Sequence, residues 1–387
     1  MPLPTVDGLS VRDHRVAFRE WLSEQSDLQA SVSCEPADLE TAILQEQQLQ
    51  QRLWDSGFGR RGWPAAYGGV GGTAVLRAAT YEELTLAGLR VPQPSYTAET
   101  LCPALIRFAP SIAKLLLPGV LRGEEIWCQG FSEPEAGSDL ASLRCRAEQI
   151  DGDSWSLTGQ KVWTSFGHLS RRAAVLARTG ESGHRGISMF LVDLEGQTVR
   201  ANPIRANGGR NEFSELFFER HRVPASRLVG RVGQGWEVAM YLLQWERGMY
   251  AWQRQATLRA RLESAVSKIR QRTDQPIGAA AALVRAWTSV SALRERSAAT
   301  VGLLAEGESP GPAVSLDKVL LSHTEQLVMD ACRSVEPLAF AFGPGVEAEL
   351  SRSEWFYSRA ATIYGGAVDV QRGIIAEHLL QLPRSPR

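Results

Sequence analysis

Between Trp155 and Val223 the chain carries short runs of Val, Ile, Leu and Phe divided by turn residues, while the stretches on either side space their apolar residues as helices do. This change of period constrains the fold more than any other feature. A period of two puts alternate side chains on opposite faces of a strand, whereas a period of 3.6 builds one apolar stripe along a helix. Residues 173–177, 186–192 and 215–219 are the clearest strands. Residues 151–153 and 180–186 are rich in Gly, Asp and Ser and suit the turns between them. Successive strands without intervening helices predict a β-barrel or sandwich rather than a parallel sheet. No G-x-G-x-x-G follows a strand and opens a helix, so a Rossmann-type dinucleotide site has no support.

The flanks are helical. Residues 13–22, 38–53 and 73–89 predict helices in the first part of the chain, and 235–267 and 279–304 predict long ones in the last. In the helix that follows, Leu316, Val319, Leu320, Leu327 and Ala331 make an apolar stripe that includes His323, which reads as a hydrogen-bonded core histidine. Residues 62–72, with five glycines and a proline, break the early helices and read as a surface connection. The expected organisation is an N-terminal α-helical domain over 1–125, a middle β domain over 126–229 and a C-terminal helical bundle over 230–387. With 387 residues there is ample material for such cores.

Charge and cysteine usage exclude several classes. A net charge of −1 argues against a general nucleic-acid or anionic-membrane binder, which needs a basic excess. No apolar run approaches the ~20 residues of a membrane span, and the N-terminus lacks a signal-peptide pattern. Cys34, Cys102, Cys128, Cys145 and Cys332 form no C-x-x-C pair and read as reduced thiols of a cytoplasmic protein. The six histidines have no second ligand at metal-binding spacing, so no metal is expected.

Two motifs carry chemistry. W-C-Q-G-F-S-E-P-E-A-G-S-D spans 127–139, and G-Q-K-V-W-T-S spans 159–165. On residue types alone, Trp163 also suits a core and Ser132 a turn. Together the motifs resemble the flavin-binding segments of the acyl-CoA dehydrogenase family. Further matches follow in order: G-Q-G-W at 233–236, E-R-G at 246–248, and T-I-Y-G-G at 362–366 running on to P-R at 383–384. The W-P-x-x-Y-G-G of 63–69 is a weaker match. The resemblance implies a helical domain, a β domain and a C-terminal four-helix bundle, with FAD between the last two.

It also implies site roles. Phe131 and Ser132 would serve the pyrimidine edge of the flavin, and Trp163 would pack beside the ring. Ser165 would donate to N5, the atom that receives the hydride. Gly137 would allow close backbone approach, with Ser138 contacting flavin and ligand phosphate oxygens. Dehydrogenation of an acyl thioester needs a carboxylate to take the α proton and donors to polarise the carbonyl. In the family those donors are a ribityl hydroxyl and the backbone N–H of the base. Many members carry the base in a Y-E-G-T sequence, but here Tyr364-Gly365-Gly366-Ala367 lacks the carboxylate. A second family arrangement puts it on a bundle helix directly before an arginine, which assigns Glu246 as the base and Arg247 as its support near the CoA region. By residue type alone Glu246 equally suits an exposed helix face. Trp245, Met249, Tyr250 and Trp252 crowd the same segment, and either narrow the acyl pocket toward short or flat groups or pack between helices.

The rest of the cofactor site departs from the family pattern. Asp369 stands at the acidic or amide position of the tail, and Arg272 is the available phosphate contact, at altered spacing. The implied substrate is an acyl-CoA or a carrier-protein-bound acyl group, with an electron-transfer flavoprotein as acceptor. A homo-oligomer is the family expectation, and a heteromer with a related subunit is the alternative suggested by the altered tail. An oxidase or desaturase on the same scaffold, and an inactive partner subunit, are the competing functions.

Overall fold

The computed structural model describes residues 8–31, 38–180, 183–209, 211–273 and 276–383. Helices α1 (Val11–Ser23), α2 (Ser26–Ser31) and α3 (Leu39–Asp55) open it. The Ser10 hydroxyl accepts from the Asp13 amide and the Asp38 carboxylate from the Thr41 amide, satisfying amide groups that a helix start leaves unpaired. After a Gly-rich turn come α4 (Ala74–Leu86), α5 (Gln93–Phe108) and α6 (Pro110–Arg122). That turn is no loose surface connection. Gly62 and Gly71 pair across it, Trp63 is buried, and the Arg77 guanidinium lies 3.9 Å from the Trp63 ring centroid.

Eight strands follow: β1 (Trp127–Gly130), β2 (Arg146–Asp151), β3 (Ser154–Ser165), β4 (Arg172–Arg178), β5 (Ile187–Asp193), β6 (Val199–Ile204), β7 (Phe213–Pro224) and β8 (Leu228–Val229). Their order is β6-β7-β3-β2-β4-β5-β8, with β1 beside β4. Most pairs are antiparallel, but β1–β4 and β2–β4 are parallel. Cys128, Ala147, Leu157, Val175, Phe190 and Phe218, from six strands, meet in one core, so the sheet wraps over itself. Gly159 enables this. It sits at a register shift in β3 with φ of 148°, and a Cβ there would stand 2.7 Å from the Cα of Cys145.

The last third is helical: α7 (Gly235–Gln271), α8 (Ala279–Ala305), α9 (Val314–Val335), α10 (Pro337–Phe342), α11 (Val346–Arg359) and α12 (Val368–Ile374). Helices α7, α8 and α9 pack pairwise, with α11 and α12 against α9. Helix α7 is the spine of the molecule. It also touches α4, α5 and β5, and its first residue, Gly235, leaves no room for a Cβ against the backbone of Ser188.

One reading of the chain needs correction. Leu316 and His323 face solvent, while the buried side of α9 carries Leu321, Val328, Met329 and Ala331 together with Ser315, Asp317, Lys318, Ser322, Thr324 and Glu325. A helix enclosed on several sides is not marked out by apolar residues alone when part of its buried surface serves polar partners. Among the described residues, Cys102, Cys128, Cys145 and Cys332 are free, whereas Cys34 lies outside them, as do parts of the 180–186 and 270–276 segments and Arg384. No helix among the described residues is long and apolar enough to cross a membrane, and no group of three or more His, Cys, Asp or Glu could hold a metal.

Replacing Gly159 by Ala combines a Cβ clash with a backbone angle that L-residues rarely adopt. The expected cost is about 1–3 kcal/mol, read as a lower urea midpoint of the full-length protein.

Candidate active site

The loop after β1 is held by a buried ion pair. The Lys161 ammonium, fully buried in β3, donates to Glu133 Oε1 at 2.7 Å and to the Phe131 carbonyl at 3.1 Å. The same Glu133 carboxylate accepts from the amides of Arg144 (2.7 Å) and Cys145 (2.9 Å). The Val162 amide donates to the Ser132 carbonyl at 2.9 Å, and Glu133 and Ala136 exchange backbone bonds. Phe131 and Ser132 are thereby fixed between β1 and β3, while Gly137, Ser138 and Asp139 project into the open. A Cβ on Gly137 would meet nothing within 4 Å, so its need for glycine would come only from a partner outside the chain.

Glu133 and Lys161 were not among the sequence candidates. The available signal was a lysine at a buried alternate position of a strand, where an unpaired charge is not tolerated. Further along β3, Trp163 is 61% exposed with φ of 59° and stands edge-on to Phe213. Ser165 is exposed at the strand's end. The positive φ falls at the register shift between Lys161 and Thr164 in the β3–β7 pairing, a bulge at which the Trp163 side chain is left facing solvent.

Glu246 lies on α7, with Gln129, two residues before Phe131, as a hydrogen-bonding neighbour. Gln129 is itself placed by a 3.1 Å bond to the Thr100 hydroxyl of α5. On the other side is the turn that carries Gly365. A Cβ at position 365 would stand 3.4 Å from Glu246 Oε1, so the Glu246 carboxylate reaches the place that a side chain from Gly365 would occupy. Burial pushes the Glu246 carboxyl above its ordinary value, opposed by the positive charges of Arg247 and Lys318 and by the bond from Gln129. Arg247 is drawn down by burial and held up by Glu246. Its Nε is buried without a hydrogen-bond partner, and its Nη2 lies 3.4 Å from where a Cβ of Gly366 would be.

The crowded segment of α7 divides between two faces. Trp245, Met249 and Trp252 turn away from Glu246 and pack with α1, α3, α4 and α8, and the Trp252 indole donates to the Ala78 carbonyl at 2.7 Å. Tyr250, one turn beyond Glu246, is the bulky residue that stays on its side of the helix, since i and i+4 share a face. Its ring meets Tyr96 at 5.9 Å and Tyr364 at 6.3 Å, and its hydroxyl is 3.5 Å from that of Tyr357. Tyr364 donates to Glu325 at 2.9 Å, and Glu325 is paired with Arg254.

Arg272 and Asp369 do not join this constellation. Arg272 ends α7, about 39 Å along the helix axis from Glu246 at the usual rise of 1.5 Å per residue. Asp369 is exposed at the start of α12 and lies 3.4 Å from Arg372.

The family description "Acyl-CoA dehydrogenase, middle domain" matches residues 128–221, and "Acyl-CoA dehydrogenase, C-terminal domain" matches 233–380. The chain belongs to the acyl-CoA dehydrogenase family. It is an oxidoreductase of that family, with its helical, β and helical parts in that family's order. It is 36% identical over 388 residues to acyl-CoA dehydrogenase IpdE1 of Mycobacterium tuberculosis, covering 97% of this chain and 99% of that protein. Among solved structures of the family, the Tcur3481-Tcur3483 steroid ACAD is 26% identical with a TM-score of 0.80, covering 97% of each chain. The prolyl acyl carrier protein oxidase AnaB, at 22% identity and a TM-score of 0.77 over 94% of this chain and 98% of that one, shares the fold.

Lys161→Met would leave the Glu133 carboxylate buried without its cation. The expected loss is about 3–5 kcal/mol in chemical denaturation, with much of it restored in the Lys161→Met/Glu133→Gln double variant.

Proposed function

We propose that this chain carries out FAD-dependent α,β-dehydrogenation of an acyl thioester, with Glu246 taking the α proton. The observation that carries this reading is the meeting of Glu246 Oε1 with the space beside Gly365, next to a strand that runs directly into the Phe131–Ser132 loop. In this chain a helix carboxylate fills the place that the tail leaves empty. Burial raises its pKa toward neutrality, which suits a general base. The exposed Trp163 in left-handed geometry fits a flat ring laid against it, and Phe131, Ser132 and Ser165 surround the same ground. FAD, when bound there, would supply the acceptor for the electrons leaving the Cα–Cβ bond.

Each remaining role belongs to the chain. The exposed Gly137 and Ser138 offer a backbone approach and a hydroxyl to phosphate oxygens. Arg247, with its unpartnered Nε, supplies a cation on the CoA side of the base. The amide of Glu246 is committed to the interior of α7, so the backbone donor to the thioester carbonyl falls instead to the 364–366 turn beside it. Tyr250, Tyr96 and Tyr364 make the wall of the acyl pocket and favour a compact or ring-bearing acyl group. The similarity to a steroid ACAD supports the same substrate class.

The tail points to a partner. Leu338, Phe342, Ile363 and Leu380 are exposed on or near α10 to α12, and Arg272 and Asp369 stand away from the site. We take a related acyl-CoA dehydrogenase subunit as the occupant of this face, consistent with neighbours described as paired chains, and an electron-transfer flavoprotein as the acceptor.

The test is anaerobic flavin bleaching by acyl-CoAs. Glu246→Gln should keep the flavin but slow bleaching by about 10²–10⁴-fold, and unchanged bleaching would overturn the assignment. Because Glu246 must be ionised to act and its pKa is raised, kcat/KM should climb with pH through a limb displaced above the ordinary glutamate value of 4.5. A CoA thioester of a ring-bearing acid should outperform palmitoyl-CoA, and the reverse preference would refute the pocket reading.

A further inference from the structure

Lys318 is 3% exposed on α9, a depth at which an ammonium needs a reason. Its direct contacts are uncharged. Its Nζ donates to the Ala361 carbonyl at 2.7 Å and stands 4.2 Å from the Tyr364 ring centroid. Yet Ser322, one turn further along α9, donates to the same Ala361 carbonyl at 2.6 Å, so the turn is already pinned without the charge. A buried charge is retained at a cost of several kcal/mol unless a counter-charge faces it.

Two carboxylates are near. Glu325 holds the Lys318 charge up most, while also pairing with Arg254 and the Tyr364 hydroxyl, and Glu246 does so next. The Cβ position of Gly365 that is 3.4 Å from Glu246 Oε1 is also 3.9 Å from Lys318 Nζ, which puts ammonium and carboxylate within about 7 Å of each other. Residue 365 adds no side chain to the space they share, because it is glycine, at φ of 61°. At that separation in a partly desolvated pocket the charges still act on one another.

We propose that Lys318 is a positioning residue for the base, its fixed ammonium favouring the ionised form of Glu246 while it and Ser322 hold the turn at Gly365 in place. The proposal rests on the reading of Glu246 as base. Every charged or titratable neighbour of the pair has a defined part. Arg247, Tyr250 and Arg254 face the pocket from α7, Glu325 from α9, Tyr357 from α11, and Tyr364 from the turn. Burial lowers Lys318 to about 8, with Glu325 and Glu246 opposing that fall, so the ammonium persists at neutral pH. Arg247 keeps its charge over the same range, which leaves Lys318 as the cation that a neutral substitution can remove without disturbing the residue next to Glu246.

The test needs no substrate. Infrared difference titration of the full-length, flavin-loaded protein follows the protonated carboxyl stretch, with Glu246 assigned by the band lost in Glu246→Gln. Lys318→Met and Lys318→Gln should move the midpoint of that band up by about one pH unit or more, whereas Ser322→Ala should leave it in place. Circular dichroism and melting curves establish that each variant is folded, and Lys318→Gln retains a donor to Ala361 where Met does not. An unmoved midpoint in a folded Lys318 variant would overturn the proposal, and so would an equal shift in Ser322→Ala, which would assign the effect to the turn. Failure of the base reading is separate: it would appear as Glu246→Gln still supporting acyl-CoA bleaching, whatever the titration shows.

Discussion

The Glu133–Lys161 ion pair is the contact on which the arrangement of the site depends. It joins the loop after β1 to the middle of β3, and it takes up both backbone amides where the chain re-enters the sheet at Arg144 and Cys145. A buried pair is a poor source of net stability, because desolvation offsets most of the attraction. What it contributes here is definition. With the ammonium also bonded to the Phe131 carbonyl, the loop cannot slide along the strand without stranding a charge. Phe131 and Ser132 then hold a constant place relative to Trp163 and Ser165, two and four residues beyond the lysine.

Helix α7 sets the second coordinate. Its faces do different work: Trp245, Met249 and Trp252 lock it to the N-terminal helices, while Glu246 and Tyr250 face the turn at 364–366. The apolar contacts make the helix rigid, and rigidity lets a single carboxylate project reproducibly into a partly dry space. The close seat of Gly235 on β5 ties this spine to the sheet, so loop and carboxylate belong to one framework. Gln129 spans the two, bonded to Thr100 and facing Glu246.

Much of this was legible in the chain. The change of period near residues 125 and 230 marks where helices yield to strands and return, and the clearest strand runs coincide with β4, β5 and β7, with only Gly186 lying just ahead of β5. The motifs at 127–139 and 159–165 do come together, as β1 with its loop and β3. What misled was treating apolar periodicity as the guide to burial. On α9 it selected Leu316 and His323, which face solvent, and passed over Asp317, Lys318 and Glu325, which do not. Polar residues can be buried wherever other polar residues await them, and those partners come from segments far apart in sequence. The crowding around Glu246 left two readings open, and the structure divides the residues between them: Trp245, Met249 and Trp252 pack between helices while Tyr250 stays on the side of Glu246.

By itself the sequence determined the family, the order of helical and β parts, and the short stretches that carry the chemistry, because these depend on local periodicity and on residues adjacent in the chain. It also determined that position 365 has no side chain. Only the tertiary structure decided what fills that gap. Glu246 and Gly365 are 119 positions apart, and the packing of α7 against α9 and the tail sets the carboxylate of one beside the bare backbone of the other. That juxtaposition depends on long-range contacts, which leave no mark in any local pattern of residues.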